Sequence, residues 1–115
     1  MREERGQISG DVVVYEEFTL WGTIGGSVKV IKGGKFYVRG MIYGAMEVED
    51  GGRVHIFGNV SGDVTISKDG KVVHSGVIGG DVINNGGRFF ADSTARIMGK
   101  VKTRAGGETK FESRM

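Results

Sequence analysis

The sequence contains no cysteine and no proline, and none of its apolar runs approaches the ~18 residues of a membrane-spanning helix. Without cysteine there is no disulfide framework, no thiolate zinc site and no thiol nucleophile. Without proline, and without glycine at every third position, there is no collagen-like helix. Neither sign of charge dominates: 16 basic and 14 acidic side chains leave a net charge of +2. That balance carries no general signature of nucleic-acid binding. Met1-Arg2-Glu3-Glu4-Arg5 leads into no apolar stretch, so no secretory signal is read and a cytoplasmic chain is expected. Against these absences stands one excess. Glycine supplies 22 of 115 residues, roughly three times its usual share of ~7%. Each interior glycine costs a helix roughly 1 kcal/mol relative to alanine, so long helices are excluded. A hydrophobic fraction of 38% is too high for a disordered tail.

The glycines mark an internal repeat. Gly6-Gln7-Ile8-Ser9-Gly10-Asp11-Val12-Val13-Val14 returns as Gly22 to Val30, Gly40 to Val48, Gly58 to Ile66 and Gly76 to Asn84, with a degenerate copy from Ala95 to Thr103. The starts lie 16, 18, 18, 18 and 19 residues apart. A second half-motif follows in Gly33-Gly34-Lys35-Phe36-Tyr37-Val38, Gly51-Gly52-Arg53-Val54-His55-Ile56 and their later counterparts at Asp69, Gly86 and Gly106. Within each unit apolar residues alternate, the period of a half-buried strand. Eighteen residues divide into three short strands of about four residues, separated by tight corners where glycine tolerates φ > 0 and close stacking. Pairing each strand with its copy one period later gives successive coils ~4.8 Å apart and a rod on the order of 30 Å long. The expected fold is all-β: a single-domain parallel β-solenoid of about six coils of 18 residues, three strands per coil. Residues 6–112 form the domain, with a charged N-terminal tail at 1–5 and a C-terminal tail at 113–115.

Register fixes the expected core as five inward columns. They begin at Ile8, Val12, Val14, Phe18 and Leu20 and recur once per coil. The third turns polar at Asn84 and Thr103, the fourth at Thr109, and the fifth runs through His74 to Phe111. Proline is absent for a reason, because a continuous ladder uses most backbone N–H groups.

The recurring Gly-x-Ile/Val-x-Gly-Asp/Ser-Val string, as in Ile8-Ser-Gly-Asp-Val12, Val60-Ser-Gly-Asp-Val64 and Ile78-Gly-Gly-Asp-Val82, resembles the bactofilins, bacterial polymer-forming cytoskeletal proteins. The resemblance covers about Gly6 to Phe111. It implies a right-handed β-helix and nucleotide-independent polymerisation, with domains joined end to end into non-polar filaments. Members often carry disordered tails, sometimes with an N-terminal membrane-binding segment, whereas this chain has almost none. The implied location is the cytoplasm, or a place peripheral to the inner membrane beside cell-envelope proteins.

Physical reasoning reaches assembly independently. An uncapped solenoid leaves an unpaired strand edge over an apolar lumen at each end. The expected self-assembly residues are Ile8, Val12, Val14, Phe18 and Leu20 at the N-terminal end. At the C-terminal end they are Val101, Thr103, Thr109 and Phe111. Stacking of like ends would bury both faces; tails folded over the ends would leave a monomer. A second surface runs along the flank, where Lys35, Arg53, Lys71 and Arg88 align beside Tyr37, His55, Val73 and Phe90, with Trp21, Arg39 and Phe57 at its edge. This basic and aromatic face suits a lateral contact or a partner, a membrane surface, or single-stranded nucleic acid, the last not the expected one. It is equally the pattern of a solvated sheet face with aromatic β-formers.

The enzyme alternative is a left-handed hexapeptide-type acyltransferase, which commonly uses a histidine. Of the two histidines, His74 falls on an inward slot and His55 on an outward one. Zinc chemistry of the γ-carbonic-anhydrase kind needs three. No dinucleotide or phosphate-loop glycine motif is present. The expectation is therefore a scaffold rather than an enzyme, without catalytic residues, metal or cofactor, whose partner is itself.

Overall fold

A computed structural model describes residues 2–112; the tail expected at 113–115 lies outside the described residues. Alternation of apolar and polar side chains produces nineteen short strands and no helix among them. One sheet stacks β1 (Arg2–Glu4), β4 (Glu17–Leu20), β7 (Lys35–Val38), β10 (Arg53–Ile56), β13 (Lys71–His74), β16 (Arg88–Ala91) and β19 (Glu108–Phe111). A second stacks the two-residue strands β2 (Gln7–Ile8), β5 (Thr23–Ile24), β8 (Met41–Ile42), β11 (Asn59–Val60), β14 (Val77–Ile78) and β17 (Arg96–Ile97). The third contains β3 (Val12–Val14), β6 (Val28–Val30), β9 (Met46–Val48), β12 (Val64–Ile66), β15 (Val82–Asn85) and β18 (Val101–Arg104). Every pairing is parallel and joins a strand to its copy in the next coil. This is the three-sided β-solenoid of about six coils that the period predicts. Its strands are unequal, four residues on most of the first sheet and two on the second, where glycine corners crowd from both sides.

The registers reproduce all five columns, from Ile8↔Ile24 and Val12↔Val28 to Phe89↔Thr109 and Ala91↔Phe111. Their interior members form one continuous core; Phe18 stacks on Phe36 with ring centroids 5.3 Å apart. Complete burial of such a side chain contributes roughly 1.5–3 kcal/mol. Two positions show what the glycines do. At Gly40 an added Cβ would overlap the Gly22 carbonyl oxygen of the coil beneath, so stacking itself requires glycine. Gly51 turns its corner at φ +80°, and the corresponding residue one coil later is Asp69 at φ 60°. Aspartate is among the few other residues that tolerate that region.

The main departure is at the N-terminus. Arg2–Glu4, expected as part of a charged tail, is β1, paired with Phe18, Thr19 and Leu20. Its charges do not prevent pairing, because the ladder uses backbone groups and the neighbouring strand supplies them.

Candidate assembly faces and the basic flank

The two ends of the solenoid are built differently. At the N-terminal end β1 covers the first sheet, so Phe18 and Leu20 lie one strand inside the edge and are fully buried. The Arg2 guanidinium sits 4.5 Å from the centroid of the Phe18 ring. Glu4 Oε2 accepts the Gly6 N–H at 3.1 Å, and Trp21 Nε1 donates to Glu3 Oε1 at 3.1 Å. Inward-pointing charge on an edge strand discourages pairing. Of the expected N-terminal set, Ile8 is half-buried on the edge strand β2, Val12 and Val14 are buried side chains of the edge strand β3, and Phe18 and Leu20 lie one strand inside the edge, beneath β1.

The C-terminal end has no such cover among the described residues. Phe111 is 59% exposed, Val101 and Thr109 are half-buried, and Thr103 is exposed. Ala91, Ala95, Ile97, Val101 and Phe111 line a depression of about 580 Å³ at the mouth of the lumen, with Asp92, Arg96 and Glu112 on its rim. Asn84 closes the lumen one coil below. Its Nδ2 donates to the Glu108 carbonyl at 2.9 Å and to Thr109 Oγ1 at 3.1 Å, and its Oδ1 accepts the Gly87 N–H at 2.9 Å.

On the flank, Lys35, Arg53, Lys71 and Arg88 are direct neighbours in the first sheet and all exposed. Glu17 precedes the row and Glu108 follows it. The ion pairs among the described residues lie elsewhere, at Lys29 with Glu47 and Glu49, and at Lys110 with Glu108. Tyr37, His55 and Val73 are half-buried beside the row, and Phe90 is exposed. At the sheet edge a cation–aromatic stack forms: Arg5 lies over Trp21, and Arg39 lies over both Trp21 and Phe57 at 5.2 and 4.2 Å. The His55 ring then stacks on Phe57 at 3.8 Å. Trp21, Arg39 and Phe57 are thus engaged with one another.

The histidines have separate surroundings. His74 is fully buried; its Nδ1 faces the Gly76 N–H at 3.4 Å, which leaves Nε2 to donate to the Arg96 carbonyl at 2.9 Å. Burial holds its pKa below the ordinary value of 6.5, against the opposing pull of the Arg96 carbonyl and Asp92. His55 also belongs to a chain that sequence reasoning missed. Ser75 Oγ donates to Asp92 Oδ2 at 2.6 Å, and His55 Nε2 lies 3.0 Å from Ser75 Oγ. With its proton given to Asp92, Ser75 accepts from His55, the reverse of what a histidine base activating a serine requires. Hydrogen bonds from Ser75 and Thr94 hold the Asp92 carboxyl at about 2. The signal available in sequence was the column Trp21, Arg39, Phe57, which continues through Ser75 to Asp92.

No group of three or more acidic or histidine side chains among the described residues could hold a metal ion. No helix there is long and apolar enough to cross a membrane. Comparison with known proteins finds no matching family model, no matching curated protein and no matching solved structure.

Proposed function

We propose that the chain is a structural protein of the bactofilin kind: a right-handed β-helix that assembles end to end into nucleotide-independent filaments and serves as a scaffold. The observation that carries this reading is the C-terminal face, where Phe111 stands 59% exposed in a column whose preceding members are all buried. A partner's end face there would remove apolar area from water and extend the hydrogen-bonded ladders of the three sheets. The unpaired β17, β18 and β19 edges supply the template.

Negative-stain microscopy with sedimentation tests the reading. Purified protein should form filaments without nucleotide, and Phe111→Arg should reduce them to short species while the circular dichroism of the fold stays unchanged. Filaments of normal length from that variant would overturn the end-contact reading. Leu20, buried within the fold, is unsuitable for the same test.

One observation favours a second reading, a non-polymerising binding module. The four flank cations have no ion-pair partner among the described residues, and such a row costs like-charge repulsion that an anionic partner would relieve. Heparin and anionic liposomes probe it: salt-sensitive retention that Lys71→Glu and Arg88→Glu abolish, in a protein that stays monomeric, would favour this reading over filaments.

A further inference from the structure

One corner of the solenoid is a residue short. Between the third sheet and the first, Val30 to Gly34, Val48 to Gly52, Ile66 to Gly70 and Thr103 to Gly107 each span four steps, whereas Asn84 to Gly87 spans three. The four full-length corners close alike: the N–H of the last glycine donates to the carbonyl three residues back, at 2.8, 2.9, 3.0 and 3.0 Å. In the short corner the Asn84 side chain takes over that role, its Oδ1 accepting the Gly87 N–H at 2.9 Å. Asn85 pairs with Arg104, and a Cβ on Gly86 would lie 3.4 Å from both the Lys68 Cα and the Ala105 carbonyl oxygen. Asp69 and Gly106 are therefore left without a counterpart in the coil between them. A notch of about 330 Å³ opens at that place.

The walls of the notch are charged. Arg53, Lys71 and Arg88 line it, together with Asp69, Glu108 and the corner glycines. The three cations are exposed neighbours in the first sheet, on strands ~4.8 Å apart. None has an ion-pair partner among the described residues. Glu108 pairs with Lys110 at 4.0 Å, which leaves Asp69 as the other acid of the lining. Three cations against that one carboxylate leave two positive charges unbalanced, which matches a phosphoryl dianion. Arginine forks and a lysine ammonium are strong donors to phosphoryl oxygens, and glycine places no side chain between an anion and the backbone. The volume falls at the small end of the range for ligand sites, enough for a compact anion and too little for a folded partner.

We propose that this notch is a binding site for a phosphoryl group, carried by a small soluble compound or by a lipid headgroup, with Lys71 and Arg88 as its main donors and Arg53 as the third. The site lies on the flank and does not depend on end-to-end assembly. It rests on the anionic-partner reading of the cation row and deepens it, naming the group bound and the place that binds it.

Calorimetric titration of the full chain with inorganic pyrophosphate, beside succinate as a carboxylate dianion, tests the site. Pyrophosphate should bind once per chain and at least about tenfold more tightly than succinate. Lys71→Gln combined with Arg88→Gln should weaken it about tenfold or more without touching the backbone. A glycine inserted between Asn85 and Gly86 restores the four-step corner and keeps every charge; it should abolish binding while the circular dichroism stays unchanged. Flotation with vesicles containing phosphatidic acid identifies the source: protein that floats and is released by pyrophosphate takes the group from a lipid, and protein that binds pyrophosphate without floating takes it from solution. Equal affinity for succinate, or undiminished binding in either variant, would overturn the site, because each reports diffuse attraction to the cation row. Salt-sensitive retention on heparin without pyrophosphate binding would overturn the notch and leave the anionic-partner reading standing. Loss of both would overturn both.

Discussion

In the coil spanning residues 23–38 the five inward columns hold Ile24, Val28, Val30, Phe36 and Val38, none more than 2% exposed. In the coil spanning 96–111 the same columns hold Ile97, Val101, Thr103, Thr109 and Phe111, and none of them is buried. The difference has two sources. The last coil lacks a neighbour above among the described residues, and its side chains have already changed character. Polar substitution begins a coil early, at Asn84, whose Nδ2 ties β15 to β19 through two hydrogen bonds while its Oδ1 holds the Gly87 corner, a side-chain link rather than packing. The period thus specifies a shape, while column chemistry specifies which coil is interior and which is a surface. In a stack whose contacts run between neighbours, the terminal coil can be tuned for contact at little cost to the rest.

Three measurements break or sharpen that contrast. The largest effect belongs to the interior. Phe36→Ala removes a ring that is 1% exposed and stacked on Phe18, and should cost about 3–5 kcal/mol by denaturant unfolding. A loss below about 1 kcal/mol would mean that the interior coil is no better packed than the last one. Asn84→Ala comes next, because it strands the Gly87 N–H and the Glu108 carbonyl; a loss of about 1–3 kcal/mol is expected. Hydrogen exchange should locate that loss in residues 108–111, with residues 35–38 still protected. Uniform loss of protection would show that the coils are not separable.

The smallest effect is pH dependence. His74 is neutral when folded because burial lowers its pKa below 6.5, so the unfolded chain binds a proton that the folded chain does not. Stability from this group is complete above 6.5 and is lost as pH falls towards the folded value. His55, lowered by the same cause, adds in the same direction. The melting temperature should therefore fall between pH 7 and pH 5, and His74→Gln should shallow that slope without removing it. An unchanged slope would assign the effect to His55 alone. The Asp92 carboxyl, held at about 2, stays ionised across that range, so the stability it contributes is lost only as pH falls below 3.8 towards that value.

Much of the fold is legible in the sequence because glycine pins register. Once Gly10, Gly26, Gly44, Gly62, Gly80 and Gly99 are aligned, each inward column follows, including the drift to Asn84 and Thr103. β1 escapes this reading: Arg2, Glu3 and Glu4 carry no glycine and no apolar alternation, and only the register against Phe18 and Leu20 reveals them as a strand. The same omission hides the cover over Phe18 and Leu20, and with it the inequality of the two ends. The Ser75–Asp92–His55 chain escapes for another reason. Its members come together through a corner where the interval between copies departs from 18, with Ser75 and Asp92 separated by 17 residues.

The glycine corners also have a mechanical consequence. Because each backbone passes close over the one beneath, as at Gly40 above Gly22, coils touch chiefly their immediate neighbours and share few long braces. Tension applied to the C-terminal segment would peel β19, β18 and β17 away before loading anything deeper, and the break would then advance by one coil per step. Such a rod resists compression and shear across its face, yet yields to force as a spool of thread does, by unwinding from its loose end.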